Sequence, residues 1–137
     1  YTLSLHDALP ISLCGAEAIL FVDDEEPLLQ LAKDALERFG YRVEAHDGAE
    51  AALAEFRRNP DAYQIVVTDL TMPKMTGMEL AQRLWALRPR LPIVLCTGFS
   101  ERITREKALA AGFCDFALKP IVAHELAQRI RKALDRR

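Results

Sequence analysis

Five side chains able to do metal or phosphoryl chemistry each stand at the end of a short apolar run. Asp23 and Asp24 follow AILFV, Asp69 follows QIVVT, Thr97 follows IVLC, and Lys119 follows FCDFAL. Carboxylates gathered in one place cannot all stay ionised unaided: their pKa values rise, or a cation binds. A cluster of carboxylate oxygens alone suits Mg²⁺, a hard ion that favours octahedral oxygen ligands and keeps several waters. A lysine beside it adds fixed positive charge, and a threonine adds a hydroxyl donor. In such a setting one carboxylate can act as a nucleophile toward phosphorus, with the developing charge stabilised around it.

These residues work together only if the apolar runs are strands that end on one side. The pattern along the chain says they are. Strands are expected over 18–22, 41–45, 64–68, 93–96 and 113–118. Helices are expected over 27–39, 48–58, 77–87, 103–111 and 122–134, from apolar residues at three- and four-residue spacing. Pro27 sits in a first turn, and Gly40, Asn59-Pro60, Pro89 and Gly112 mark helix ends. Strand and helix alternate five times with short connections. Parallel strands need crossover helices, and right-handed crossovers place helices on both faces. The expected fold is therefore α/β, a doubly wound sheet of five parallel strands, whose ligands sit at the carboxyl ends of the strands.

Composition narrows the function. The chain has 137 residues, enough for one ordinary domain, with 50% hydrophobic and 28% charged residues. A net charge of −2 gives no reason to expect a nucleic-acid partner. No apolar run approaches the roughly 18 residues of a membrane span. Cys14, Cys96 and Cys114 form no C-x-x-C pair, so neither a disulfide framework nor a zinc site is expected, and a reducing, cytoplasmic setting fits.

Taken in order, ILFVDDEE (19–26), TDLTMPKMTG (68–77), LCTG (95–98) and LKP (118–120) resemble the receiver domain of bacterial two-component response regulators. The resemblance runs from residue 18 to the end. The phrasing of ILFVDDEE, TMPKMTG and LCTGFSERI is closer still to receivers at the C-terminal end of hybrid sensor histidine kinases. It implies a flavodoxin-like strand order 2-1-3-4-5. It also implies that Asp69 accepts a phosphoryl group from a histidine kinase or its phosphotransfer domain, in a Mg²⁺-dependent phosphorelay. By the same resemblance Asp23, Asp24, Asp69 and the Thr71 carbonyl hold the metal, and Lys119 pairs with the phosphate. Thr97 and Phe116 form the switch read by a downstream effector, and Lys119-Pro120 takes a cis bond. Thr71 and Phe99 flank the approach of a hydrolytic water, so Phe99 is expected to act as a partial lid and make self-dephosphorylation slow.

Two other functions compete. An aspartate-nucleophile phosphohydrolase usually carries a second Asp two residues after the nucleophile; here that position is Thr71. A phosphorylation-independent interaction module would not need Asp23, Asp24, Asp69, Thr97 and Lys119 together. The chain is therefore expected to be a phosphoacceptor signalling domain and not an enzyme. His46 and His124 lack partners at metal-ligand spacing and are expected to be structural or solvated. Cys96 and Cys114 are expected to be buried apolar groups. The basic residues Arg129, Arg131, Lys132, Arg136 and Arg137 are expected to complement the last helix dipole.

Residues 1–12, YTLSLHDALPIS, resemble the translated end of a sequencing adapter. The expected organisation is an artefactual tail over 1–12, a linker over 13–17 and the receiver over 18–137. His6 and Asp7 should then carry no function. Deleting residues 1–12 should leave the melting temperature and the phosphorylation of Asp69 unchanged, because the segment has no periodic apolar face; a clear fall in melting temperature would refute it.

Overall fold

The computed structural model describes residues 10–98, 103–120 and 122–136. Phe99 therefore lies outside the described residues. Strands β1 (Ala18–Val22), β2 (Arg42–His46), β3 (Ile65–Asp69), β4 (Ile93–Thr97) and β5 (Asp115–Leu118) alternate with helices α1 (Glu26–Arg38), α2 (Ala49–Arg58), α3 (Gly77–Leu87), α4 (Arg105–Ala111) and α5 (Ala123–Arg136). The strands form one sheet in the order β2-β1-β3-β4-β5, with every pairing parallel. The expected doubly wound fold and strand order are both present.

Burial explains the strand types. Every residue of β1, β3 and β4 is buried, which is why AILFV, IVV and IVLC are continuous apolar stretches, broken only by Thr68, Asp69 and Thr97 at the carboxyl ends of β3 and β4. On β1 the pleat sends Ile19 and Phe21 to one face and Leu20 and Val22 to the other. The first pair packs with Leu29 and Leu36 of α1 and with Leu126, Ile130 and Leu134 of α5. The second packs with Leu53 and Phe56 of α2, Leu80 and Leu84 of α3, and Ala108 of α4. β2 lies at an edge and alternates exposed and buried positions over its first three residues.

Two element starts move inward by two residues from the expected ones, and the inward shifts elsewhere are of one residue. Helix α4 starts at Arg105, because Thr104 takes the N-cap and its hydroxyl accepts from the Lys107 N–H at 3.1 Å. Strand β5 starts at Asp115, since α4 ends on a left-handed Gly112 and the chain needs Phe113 and Cys114 to turn back to the sheet. Among the described residues no helix is long and apolar enough to cross a membrane.

The segment expected as a linker is packed down. Leu13 is buried in the α1–α5 layer, and its carbonyl accepts from the Tyr41 hydroxyl at 3.0 Å. Arg131 of α5 holds Glu17 at 2.7 Å and also donates to the Cys14 carbonyl. Hydrogen bonding from the Arg131 guanidinium holds the Glu17 carboxyl down at about 2.

The connection from β3 to α3 bears directly on the site. The Gly77 N–H donates to the Leu70 carbonyl at 2.8 Å, so the loop after Asp69 closes on itself. Thr76 and Glu79 form a reciprocal capping box that fixes where α3 begins. A Cβ on Gly77 would lie 2.1 Å from the Asp69 carbonyl oxygen, a main-chain atom that cannot swing aside. Gly77→Ala should therefore destabilise the fold by about 1–3 kcal/mol, the usual range for overpacking. Urea denaturation checks it, and an unchanged midpoint would show that the loop yields freely.

Candidate functional site: an acidic cluster closed by a lysine

Because all five strands run the same way, their carboxyl ends share one edge. β1 delivers Asp23 and Asp24 there, β3 ends on Asp69, β4 ends on Thr97, and Lys119 follows β5. Adjacent pairing puts Val22 beside Thr68 and Asp69 beside Cys96, so the β1 and β3 acids are neighbours. Carboxylate oxygens of Asp23, Asp24 and Asp69 lie within 4.8 Å of one another. Asp23 and Asp69 are buried at 4% and 5% exposure, while Asp24 is exposed.

The Lys119 ammonium closes this cluster. Its Nζ stands 2.7 Å from Asp23 Oδ2, 3.2 Å from Asp69 Oδ2 and 3.3 Å from Glu25 Oε1. Burial works against the charge of the lysine, but the hydrogen bonds and negative charge of Asp23 and Asp69 outweigh it. They hold the ammonium well above the ordinary lysine range. The main chain aims the residue: the Lys119 N–H donates to the Thr97 carbonyl at 2.7 Å, and Lys119-Pro120 is a cis peptide. Asp23 is fixed as well, since its Oδ1 accepts the Glu25 N–H at 2.9 Å.

Thr97 is fully buried, and its hydroxyl has no hydrogen-bond partner among the described residues. A buried hydroxyl without a partner is uncommon and points to a missing acceptor. Thr71 lies exposed in the loop after β3. Cys96 is buried behind the cluster, and burial pushes its thiol up to about 12, which leaves it inert at neutral pH. Cys114 is only half-buried, and its thiol faces the Ile93 carbonyl at 3.4 Å.

Phe116 packs with the α2–α3–α4 layer at 7% exposure. Its main chain is held by side chains. Asp115 Oδ1 accepts the Phe116 N–H at 2.7 Å, and Arg105 donates to the Phe116 carbonyl at 3.3 Å. The same Asp115 oxygen pairs with Arg105 of α4 and Arg129 of α5, each at 3.0 Å. His46 Nε2 is 3.8 Å from Glu44, and His124 meets Gln128 on α5.

The sequence reading did not single out Glu25, Asp115 or Arg105 as functional. Glu25 looks like an ordinary acid at a helix start. Asp115 carries a signal that could have been used: an ionisable residue inside an apolar run is buried only when paired, and Arg129 was available one helix away. Arg129 and Arg131 act chiefly through Asp115, Glu125, Glu17 and Asp135, beyond any general complement to the α5 dipole.

The donor set of the cluster is hard carboxylate oxygen from three aspartates, with no imidazole or thiolate in it. That chemistry fits Mg²⁺.

Comparison with known proteins places this geometry. A family model described as the response regulator receiver domain matches residues 19–131. The C4-dicarboxylate transport transcriptional regulatory protein DctD of Rhizobium meliloti is 33% identical over 125 residues, covering 91% of this chain and 27% of that protein. The virulence sensor protein BvgS of Bordetella pertussis is 37% identical over 125 residues, covering 86% of this chain and 10% of that protein. This chain thus spans well under a third of either relative. Among solved structures, a response regulator receiver domain protein of Clostridium thermocellum superposes with a TM-score of 0.83 at 29% identity, covering 88% of this chain and 95% of that one. The FixJ-N structure gives a TM-score of 0.76 at 34% identity, with the same coverage of 88% and 95%.

A ligand that binds only the native state raises stability by mass action. Mg²⁺ should therefore raise the urea midpoint of the wild type. Asp24→Asn should abolish that rise, and its metal-free stability should equal or exceed that of the wild type, because one of several repelling charges is gone. An undiminished Mg²⁺ response in Asp24→Asn would remove Asp24 from the metal site.

Proposed function

The chain belongs to the response regulator receiver domain family, a phosphorelay signalling domain, and from that premise we propose that Asp69 is its phosphoacceptor. The observation that carries this is the Asp69 carboxylate itself. It is buried at the carboxyl end of β3, within the three-aspartate cluster and 3.2 Å from the Lys119 ammonium.

The donor is a phosphohistidine of a histidine kinase or its phosphotransfer domain. An Asp69 oxygen attacks phosphorus and forms an O–P bond. The N–P bond to imidazole breaks, and its electron pair leaves with the ring, which accepts a proton. Asp23, Asp24, Asp69 and the Thr71 carbonyl are the groups that would hold Mg²⁺, which when bound supplies charge neutralisation for the transferring phosphoryl oxygens. Lys119 offers its ammonium to the same oxygens. The Thr97 hydroxyl, buried and without an acceptor among the described residues, donates to a phosphoryl oxygen once one is present. That bond draws the end of β4 inward and biases the position of Phe116 in the α4–β5–α5 region, where an effector reads the state.

The likeness to the virulence sensor protein supports reading this receiver as part of a hybrid sensor kinase. A phosphohydrolase is disfavoured because Thr71, exposed in its loop, has no acid–base function to offer at neutral pH.

Incubation with Mg²⁺ and acetyl phosphate tests the reading. Intact-mass analysis should show one phosphoryl group per chain in the wild type and none in Asp69→Asn. Sustained release of phosphate at many turnovers would favour the hydrolase, and absence of any label would favour an interaction module.

A further inference from the structure

An ammonium group has three N–H donors. In Lys119 the carboxylates of Asp23, Asp69 and Glu25 supply three acceptors, at 2.7, 3.2 and 3.3 Å. The lysine is therefore saturated before any phosphoryl group arrives. For it to meet a phosphoryl oxygen, one of the three must let go.

The three are not equivalent. The side chains of Asp23 and Asp69 are each 6% exposed, while that of Glu25 is 57% exposed. Glu25 makes the longest of the three contacts and stands on the solvent side, where an entering anion comes first. Its place in the chain also matters. Glu25 is the N-cap of α1, yet its side chain makes no capping hydrogen bond. Its main-chain N–H is tied to Asp23 Oδ1. The turn is thus fixed by the backbone, and the carboxylate is turned to Lys119 and left with no second task in the helix.

We propose that Glu25 is a positioning residue that serves as the exchangeable counter-ion of Lys119, holding the ammonium at the mouth of the site until a phosphoryl oxygen displaces it. This rests on the assignment of Asp69 as phosphoacceptor. Displacement costs the Glu25–Lys119 contact each time the site is loaded. Glu25 therefore weakens the binding of tetrahedral phosphoryl-like anions and slows loading from free donors. It does so through Lys119, without touching the donor itself.

The full chain carrying Glu25→Gln, Glu25→Asp or Glu26→Gln separates this from a general charge effect. Glu25→Gln removes the charge. Glu25→Asp keeps it on a side chain one methylene too short to hold the ammonium as closely. Glu26→Gln makes the same change in net charge one residue along, at the first residue of α1. Two readouts are used with Mg²⁺ present: the affinity for beryllium trifluoride by fluorine NMR, and the rate of labelling by acetyl phosphate.

At low salt both Glu25 variants should bind beryllium trifluoride about threefold more tightly and label about threefold faster, a factor in keeping with a half-exposed ion pair. Glu26→Gln should match the wild type. The advantage of Glu25→Gln should shrink toward 1 M salt, where the screening length is about 3 Å. Equal gains in Glu25→Gln and Glu26→Gln would reduce the effect to bulk charge and overturn the proposal. So would a labelled wild type with unchanged rate and affinity in both Glu25 variants, which would leave Asp69 as phosphoacceptor untouched. A wild type that takes no label at all would remove the phosphoacceptor assignment and this inference with it.

Discussion

Everything at the carboxyl edge of the sheet depends on one electrostatic constraint: two buried aspartates share a pocket and must be held there with a cation. Asp23 and Asp69 come from neighbouring strands, so the sheet itself presses their charges together. Free in water, such a pair would simply move apart. Here neither side chain can leave, because each sits where a fully buried strand ends. The Lys119 ammonium is the protein's own answer, and its burial is tolerated because the same carboxylates surround it. Each partner is thus the condition for burying the other. This is why the lysine comes from a different strand, β5, whose end must be aimed from the Thr97 carbonyl and the turn at Pro120.

That arrangement sets the tolerances of the rest of the fold. The layers on either face hold the strand ends in register. The β3–α3 connection then carries the strictest steric limit, since Gly77 lies against the carbonyl of the residue proposed to do the chemistry. On the other side of the sheet, Arg131 fastens the chain ahead of β1 to α5 through Glu17 and Cys14. The start of β1 is anchored there, and its far end bears the acids. The strand is therefore held at both ends by charged contacts to the last part of the chain, Arg131 and Lys119.

Much of this was legible in the residues. The runs AILFV and IVLC and the polar groups after them read directly as buried strands with a functional edge, because a strand covered on both faces has no other way to be written. Asp23, Asp24 and Asp69 lie together with the Lys119 ammonium among them, and Thr97 ends β4 at the same edge of the sheet. What was not legible depended on contacts between distant parts of the sequence. Glu25 and Lys119 are 94 residues apart, and Glu17 and Arg131 are 114 apart. No periodicity reports such pairs. Acids before a helix and arginines at the end of one have adequate local explanations, which conceal their tertiary ones. The boundaries of α4 and β5 were missed for a smaller reason: a threonine cap and a left-handed glycine each take residues that apolar pattern alone assigns to the element.

The clasp of Asp115, Arg105 and Arg129 around Phe116 has a consequence for how the molecule behaves among copies of itself. β5 is an edge strand, and an open edge is a template on which another chain can add a strand. At Phe116, in the middle of that strand, the N–H is already given to the Asp115 carboxylate and the carbonyl already accepts from Arg105. An incoming backbone would find both groups taken and two guanidinium groups in its path. The edge is also only four residues long. At Phe116, then, side chains alone occupy the main-chain groups that a strand added at this border would need, so that part of the edge is guarded without a covering element.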